Sequence, residues 1–529
     1  MSTSVSDTVL EVLQGKVDER TNRWTSGPAI VLYLATFKLL VHVLVASRYS
    51  YFADELYFIA CSEHLDWGYV DHPPLIAFVT KAVRLLSGDS LLSLRFLPAI
   101  AGAALVCLTG AMTRTLGGGR FAQSMAALGV IALPLYLSFH YILSMNAFEP
   151  LFWTGLAYVV LLAAKRNNPR LLLWAGVILG FGLLNKYSIL LFAFALCLGL
   201  LFTPYRKLLA NRWLRIGLGC GFLIVAPHLN WLILHVFPFL EWQRNLQNAN
   251  PNPHIELSPP VFMLQQLFLT GTASLLWLAG LVFYFVTQKG KTYRFLGWAF
   301  VITMLEFIAM HGKNYYPSPV YAIAIAGGAV ALEQWTSEVR WKRFRAPLIA
   351  VIIAGTAVMA PMFIPILPVD SLLSYQKAIG MHPPPQDTAM LAAAPLWTFL
   401  GGQFGWESVT AKVADVYNNL PVEERSHVTI FARTYPPAAA IDFYGKQYGL
   451  PKAISTHLGY YLWGPRDSKS GTVIFVGYSF EAIAPICRQA EIGAQIYSPY
   501  GWDINHPIVL CRGFVGNFQD LWSLWKLWY

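Results

Sequence analysis

The chain has 529 residues, of which 56% are hydrophobic and 12% are charged, whereas an ordinary soluble domain carries roughly 25% charged residues. A bilayer needs about 20 apolar residues per helix, and a soluble core cannot hold many such runs, so the composition excludes an ordinary soluble globular protein. The net charge of +10 is distributed over short loops, which predicts contact with anionic membrane lipids and no nucleic-acid partner.

The N-terminal segment, residues 1–27, is polar and mixed in charge and does not open with the basic stretch of a secretory signal. We therefore predict a cytoplasmic tail with no cleaved signal peptide. The apolar segments that follow predict about eleven transmembrane helices. They are 28–46, 91–113, 121–138, 147–164, 171–185, 188–203, 214–236, 260–286, 295–310, 316–333 and 346–366.

Successive loops between these segments alternate between a high and a low content of Lys and Arg. Because cytoplasmic loops carry an excess of Lys and Arg, the rich loops place the N-terminus in the cytoplasm. An odd number of helices then puts residues after about 368 outside. We expect a multi-pass protein of the bacterial inner (plasma) membrane with an extracytoplasmic C-terminal domain.

The first outer stretch carries acidic residues at both ends. Asp54 and Glu55 come directly after the first apolar segment, and Asp71 and His72 precede two prolines that stiffen the backbone. Unpaired charge is poorly solvated near hydrocarbon, so such carboxylates must face water or a polar site. An isolated pair would more often be a hydrated interfacial feature, but the second acidic motif favours a functional site.

Residues 369–529 contain no long apolar run and resemble a soluble domain. Apolar residues recur at helical spacing from Val409 to Leu420, and 428–432, 472–476 and 508–511 are short β-branched runs. We predict a small α/β domain here, preceded by a proline-rich linker. The predicted division is a tail over 1–27, a transmembrane domain over 28–368 and an extracytoplasmic α/β domain over 369–529.

Two cysteines, Cys487 and Cys511, fall in the predicted extracytoplasmic domain, where oxidation is permitted. They could form a disulfide or remain free. The chain has neither a CxxC motif nor a Cys/His cluster with zinc spacing, so a structural zinc site is not expected.

Several short motifs occur in a defined order along the chain. They are Asp-Glu-x-Tyr at 54–57, His-Pro-Pro-Leu at 72–75, Glu149-Pro150, Asn-Lys-Tyr at 185–187 and Lys-Asn-Tyr-Tyr-Pro at 313–317. In this order, over roughly residues 28–335, the chain resembles glycosyltransferase family 39, the dolichyl-phosphate-mannose protein mannosyltransferases and their bacterial relatives such as the aminoarabinose transferases.

The resemblance implies a mainly α polytopic GT-C fold and an inverting glycosyltransferase. Such an enzyme moves sugar from a polyprenyl-phosphate donor to a lipid, glycan or protein acceptor at the outer face of the membrane. Asp54 matches the catalytic carboxylate of the family, with Glu55 beside it. A carboxylate can take the proton of the attacking hydroxyl, and the phosphate leaving group needs cationic or metal stabilisation.

Candidates for the donor phosphate site are His72, Lys186, Lys313 and Tyr316, and Asp71 and Glu149 are expected near the acceptor or a metal. The aminoarabinose transferases have Glu-Lys-Pro where this chain has Asp71-His72-Pro73, and the mannosyltransferases usually have Asp where Glu149 stands. Asp71 and His254 could share a divalent metal cation, and no other cofactor is expected.

Each of these residues also has a structural interpretation. Lys186 and Lys313 could be helix-end cations that extend to the headgroups. Glu149 could favour the start of the following helix through its charge, and His254 could be an ordinary loop residue. For the whole chain, the alternatives are a transporter or lipid flippase, and a catalytically inactive scaffold. Transporters usually show two related halves with charge at the bilayer midplane, whereas here we find no repeat.

Overall fold

The computed structural model describes residues 23–249, 258–381, 395–466, 468, 471–501 and 506–528. Most of the predicted cytoplasmic tail, part of the proline-rich linker and His254 lie outside the described residues.

Helices dominate the chain. The longer ones are α1 Gly27–Val45, α2 Ala53–Glu63, α3 Leu75–Ser87, α4 Leu91–Thr115, α5 Arg120–Ala132, α6 Pro134–Phe139, α7 Met145–Lys165, α8 Leu172–Asn185, α9 Ile189–Leu201, α10 Arg212–Leu234, α11 Pro238–Ala249, α12 Pro259–Thr270, α13 Ser274–Val286, α14 Arg294–Ala309, α15 Tyr321–Trp335, α16 Arg345–Met359, α17 Val369–Ala378, α18 Trp406–Asn418 and α19 Tyr435–Tyr444.

Single-turn helices and one sheet complete the secondary structure. The single α turns are Gln288–Lys291, Val339–Lys342, Thr398–Gly401, Val422–Arg425, Gly459–Leu462, Phe480–Ile483 and Phe518–Leu521, and the 3₁₀ turns are Pro169–Leu171, Pro204–Leu208, Gly271–Ala273, Ser318–Val320, Ala360–Met362, Gly445–Tyr448 and Ala484–Ile486. The strands are β1 Thr429–Ala432, β2 Thr472–Val476, β3 Cys487–Gln495 and β4 Pro507–Phe514.

Each of the eleven predicted apolar segments is largely helical. Within the described residues, six helical stretches are long and apolar enough to cross a membrane: Gly27–Val45, Leu91–Thr115, Met145–Lys165, Arg212–Leu234, Pro259–Val286 and Val339–Met362. Apolar helices such as α9 are shorter. The count of about eleven spans therefore stays a prediction, although the mainly helical membrane architecture agrees with the sequence.

Two predicted spans are interrupted at identifiable residues. The helix over 121–138 breaks at Leu133, because the residue before a proline is disfavoured in the helical conformation and Pro134 begins the next helix. The segment over 260–286 changes direction at Gly271, whose φ of +53° few other residues adopt readily.

Helices α8 and α10 approach each other through glycines. A Cβ atom on Gly176 would lie 2.0 Å from the carbonyl carbon of Gly217, and one on Gly180 would lie 2.9 Å from Cα of Gly221. Small residues spaced four apart let helix backbones pack closely where no hydrophobic effect between helices operates. These glycines therefore set the helix spacing next to the turn at Lys186.

The C-terminal region forms a four-stranded mixed sheet in the order β1-β2-β4-β3. Strands β1 and β2 are parallel, and β4 pairs antiparallel with β2 and with β3. The helix predicted from Val409 and the strands predicted at 428–432, 472–476 and 508–511 are present as α18, β1, β2 and β4. Strand β3 was not predicted, because most of its residues are exposed at the sheet edge and it lacks a β-branched run.

Of the two alternatives for Cys487 and Cys511, the structure shows the disulfide. Cys487 on β3 and Cys511 on β4 are joined, with an S–S distance of 2.02 Å. The bond links the edge strand to its neighbour.

The α/β domain shares its core with the segment that follows the first apolar helix. Leu56 of α2, Ile76 of α3, Trp406 and Val409 of α18 and Ile441 of α19 belong to one cluster of buried side chains. Helix α19 packs against α2. The C-terminal domain is thus seated on the helix that carries Asp54.

Candidate active site

Helix α2 begins at Ala53, immediately after the turn that follows the first apolar helix. Glu55 accepts a hydrogen bond from the backbone N–H of Phe52 at 2.9 Å, which satisfies a donor that the helix start leaves unpaired. The backbone N–H of Ala53 donates to the carbonyl of Gly402 at 3.0 Å. Both contacts fix the first turn, in which acidic side chains are favoured by the helix dipole.

Glu55 does not occupy a catalytic position. Its carboxylate is fully buried and pairs with Arg95 of α4, with Nη2 to Oε2 at 2.7 Å and Nε to Oε1 at 3.0 Å. It also accepts from the backbone N–H of Leu143 at 2.9 Å. Because these contacts use both oxygens of Glu55, the geometry favours an anchoring role in α2 over the expected part in the chemistry beside Asp54.

Asp54 points to a different environment. The hydroxyl of Tyr435, the first residue of α19, donates to its Oδ1 at 2.6 Å. No described residue hydrogen-bonds to Oδ2. Asp54 is half-buried, and this burial raises its pKa to about 6, with the Tyr435 hydrogen bond acting in the opposite direction.

Asp71 lies close enough to Asp54 to interact with it electrostatically. The hydroxyl of Tyr57 donates to Oδ1 of Asp71 at 3.1 Å and accepts from the backbone N–H of Gly459 at 3.0 Å. Tyr57 is one helical turn after Asp54, so it projects from the same face of α2. The structure thus brings together the two acidic residues that the sequence singled out.

His72 departs from the expectation of a phosphate ligand. Its side chain is fully buried. Its Nδ1–H donates to the carbonyl of Pro73 at 2.9 Å, and its Nε2 faces Sγ of Cys61 at 3.9 Å. Because the Tyr57, Phe58 and Tyr69 rings pack around the imidazole, it supports the Asp71 turn and has no open nitrogen for phosphate.

Lys186 and Glu149 form a second charged group. Lys186 Nζ donates to Glu149 Oε2 at 2.9 Å and to Asn146 Oδ1 at 2.8 Å, and Ser188 donates its hydroxyl to the other oxygen of Glu149. The Lys186 ammonium also lies 4.7 Å from the ring centroid of Tyr316. Glu149 is buried and paired with Lys186, so the two residues hold α7 and the turn after α8 together.

Lys313 differs from Lys186. Its side chain is exposed, and no hydrogen bond or ion pair joins it to another described residue. It interacts electrostatically with Asp54, as does the neighbouring Tyr315, which also interacts with Glu149. Of the predicted phosphate ligands in the described chain, Lys313 is the one whose cation is free and near the carboxylate.

The expected metal pair cannot be assembled from the described residues. His254 is outside them, and no group of three or more His, Cys, Asp or Glu side chains among the described residues is arranged to hold a metal ion. Asp54 and Asp71 offer carboxylate oxygens, which suit hard cations, but they do not form a complete ligand set. A divalent cation stays a prediction.

Sequence reasoning quoted Tyr57 and Tyr315 within motifs without giving them a role in this site, and it did not single out Tyr435 or Arg95. Tyr57 could have been found from its spacing to Asp54, one helical turn apart. Tyr435 lies 381 residues from Asp54 along the chain, and no local pattern marks it.

Comparison with known proteins finds similarity to a protein family, to a curated protein and to solved structures. A family model described as dolichyl-phosphate-mannose-protein mannosyltransferase matches residues 71–231. The lipid A galacturonosyltransferase RgtD of Rhizobium johnstonii is 28% identical over 217 residues, which is 40% of this chain and 44% of that protein. These matches confirm the family resemblance seen in the sequence. The family model begins at residue 71, so Asp54 lies outside it. The aligned region spans less than half the length of RgtD.

Solved structures extend the comparison to the fold of nearly the whole chain. ArnT from Cupriavidus metallidurans bound to undecaprenyl phosphate superimposes with a TM-score of 0.56 at 13% identity, over 91% of this chain and 97% of that chain. The apo structure of the same protein gives the same values. The expected GT-C membrane fold with a small C-terminal sheet is confirmed.

Proposed function

We propose that the chain is a membrane glycosyltransferase that moves a sugar from a polyprenyl-phosphate donor to an acceptor on the outer face of the membrane. One observation carries the proposal: the Asp54 carboxylate has one oxygen held by Tyr435 and one without a described partner, within electrostatic reach of the exposed Lys313 side chain. A base next to a phosphate-binding cation is what glycosyl transfer with inversion requires.

In the proposed reaction, Asp54 Oδ2 accepts the proton of an acceptor hydroxyl as its oxygen bonds to the anomeric carbon of the donor sugar. The bond from that carbon to the phosphate oxygen breaks on the opposite side, so the configuration inverts. The electron pair stays on the polyprenyl phosphate, whose negative charge Lys313 stabilises. The pKa of Asp54 at about 6 leaves it ionised at neutral pH yet basic enough to take a proton.

The donor and acceptor classes follow from the comparisons. ArnT was solved with undecaprenyl phosphate, which supports a polyprenyl-phosphate donor, and RgtD is a lipid A galacturonosyltransferase, which supports a glycolipid acceptor over a protein. Placement of this site outside the cytoplasm of a bacterial inner membrane rests on the Lys and Arg distribution.

The enzyme proposal is favoured over a transporter, a flippase or an inactive scaffold. The matching family and RgtD are glycosyltransferases, and the acidic residues Asp54 and Asp71 are both present at the site. A scaffold would have no need for an ionisable carboxylate with an open oxygen in a largely enclosed site.

Two measurements test the proposal. Mass spectrometry of envelope glycolipids from cells with and without the gene should reveal one sugar moiety that disappears with the gene. Purified protein should transfer labelled galacturonic acid, mannose or aminoarabinose from a polyprenyl-phosphate carrier to lipid A. An unchanged glycolipid profile together with no transfer from any of the three donors would contradict the proposal.

A further inference from the structure

The C-terminal domain reaches both carboxylates of the site through tyrosine hydroxyls. Tyr435, at the start of α19, donates to Asp54 at 2.6 Å. The backbone N–H of Gly459, also in the C-terminal domain, donates at 3.0 Å to Tyr57, which in turn donates to Asp71 at 3.1 Å. Both links run from the C-terminal domain to side chains of α2.

Tyr435 is held rigidly at this position. It is the third residue after β1, at the carboxyl end of a strand that pairs parallel with β2, and Pro436 and Pro437 fix the start of α19. Its ring lies between Tyr57, at a centroid distance of 4.6 Å, and His457, at 5.4 Å. Its backbone N–H donates to Nδ1 of His457 at 3.3 Å.

We propose that Tyr435 is a positioning residue for glycosyl transfer, and that the C-terminal domain thereby completes the active site. The hydroxyl occupies Oδ1 of Asp54, so the carboxylate cannot rotate freely and Oδ2 stays available to the acceptor hydroxyl. This inference rests on the proposed function of Asp54 as the base. The C-terminal domain is then part of the catalytic unit, with a role beyond covering the membrane domain.

The same hydrogen bond tunes the carboxylate. Because the hydroxyl donates to the ionised form, it lowers the pKa of Asp54 against the raising effect of burial. The other groups that act on Asp54 are Asp71, which raises its pKa, and His72 and Lys313, which lower it; Tyr315 also lies within electrostatic reach. Removing the Tyr435 hydroxyl alone should therefore raise the pKa of Asp54.

The test compares Tyr435→Phe with Tyr444→Phe. Tyr444 is on the same helix and also bonds across the domain interface, to the hydroxyl of Ser50 at 3.0 Å, but it does not touch a carboxylate of the site. Tyr435→Phe should lower kcat about tenfold or more with donor KM little changed, and should move the acid limb of the rate profile to higher pH. Tyr444→Phe should leave the limb in place.

A chemical readout covers the case in which transfer cannot be followed. Dicyclohexylcarbodiimide modifies protonated carboxyl groups, so its labelling of Asp54, located by mass spectrometry of the peptide, reports protonation directly. Labelling should persist to higher pH in Tyr435→Phe than in the wild type and in Tyr444→Phe. Identical labelling and rate profiles in all three proteins would overturn the inference.

The Asp54→Asn variant separates failure of this inference from failure of the proposed function. If Asp54→Asn loses transfer while Tyr435→Phe behaves as wild type, the inference is overturned and the proposed function stays intact. If Asp54→Asn retains full transfer, the proposed base itself is refuted.

Discussion

Asp54 and Glu55 are neighbours in the chain, yet their environments differ completely. Glu55 is saturated by Arg95 and two backbone N–H groups, whereas Asp54 has one tyrosine partner and an oxygen with no described partner. Successive residues of a helix point about 100° apart, so adjacent carboxylates need not share a role. The sequence could indicate that this pair matters, but which of the two is the base depends on residues far away in the chain.

The pH dependence of transfer should follow Asp54. Its pKa is raised to about 6 by burial, and only the ionised form can accept a proton. The rate should therefore be nearly constant above about pH 7 and fall as pH drops through 6, approaching about tenfold per unit below pH 5. A rate profile of the purified protein measures this. An acid limb near pH 4, typical of an exposed aspartate, would contradict the assigned environment.

Lys313 and Lys186 differ in their contacts, because Lys186 is paired with Glu149 whereas Lys313 has no described partner. Lys313 is free and exposed, so Lys313→Ala should weaken donor binding by about 10- to 100-fold, which corresponds to about 1.5–3 kcal/mol for a charge-assisted contact. Undecaprenyl phosphate binding to purified protein measures the effect, and Lys289→Ala, at the opposite end of the helices, is the control. Equal affinities in both variants would mean that Lys313 serves only as a helix-end cation.

At the scale of elements, α2 is the part of the fold that the sequence predicted least well. The apolar helices and the β-branched strands could be predicted from the sequence, because the spacing of their apolar residues reflects which residues are buried. Helix α2 is buried over almost its whole length, partly against a domain that begins more than 300 residues later, so its burial has no local signature. Its anchoring ion pair, Arg95 with Glu55, joins two segments whose proximity only the tertiary structure reveals.

Arg95→Met should destabilise the protein strongly. The substitution leaves Glu55 buried without its partner, which typically costs about 3–5 kcal/mol. Thermal unfolding in detergent should show a clearly lower Tm. Arg340→Met is the matched control, because its pair with Glu338 is exposed and such pairs contribute at most about 1 kcal/mol. Similar Tm values for the two variants would show that the buried pair does not anchor α2.

For the whole molecule, the alternation of loops predicted from Lys and Arg stays a prediction. Two segments that it assigns to the same side meet in the structure, where Glu333 accepts hydrogen bonds from the backbone N–H groups of Gly119 and Ala122. Loop composition predicts the side of the membrane on which a loop lies, because the Lys and Arg content of each loop is counted independently of the others. The seating of the C-terminal domain on α2 could not be predicted, since it depends on the shapes of two surfaces.

The orientation itself is testable by fusion. A reporter placed after Glu333 should be cytoplasmic, and one placed after Tyr529 should be external, because cytoplasmic loops carry the excess of Lys and Arg. Alkaline phosphatase and fluorescent-protein activities distinguish the two compartments. Fusions on the same side of the membrane would mean that the span count is wrong, and exchanged sides would reverse the orientation.

The central claim is that Asp54 takes the proton of the acceptor hydroxyl. The most direct measurement is the turnover of purified Asp54→Asn beside Asp415→Asn, an exposed aspartate on α18, with donor binding determined for both. An amide keeps the size and polarity of the side chain but cannot act as a base, so Asp54→Asn should lose about 10²- to 10⁴-fold in kcat while retaining donor affinity, and Asp415→Asn should behave as wild type. Near-normal turnover in Asp54→Asn would contradict the claim.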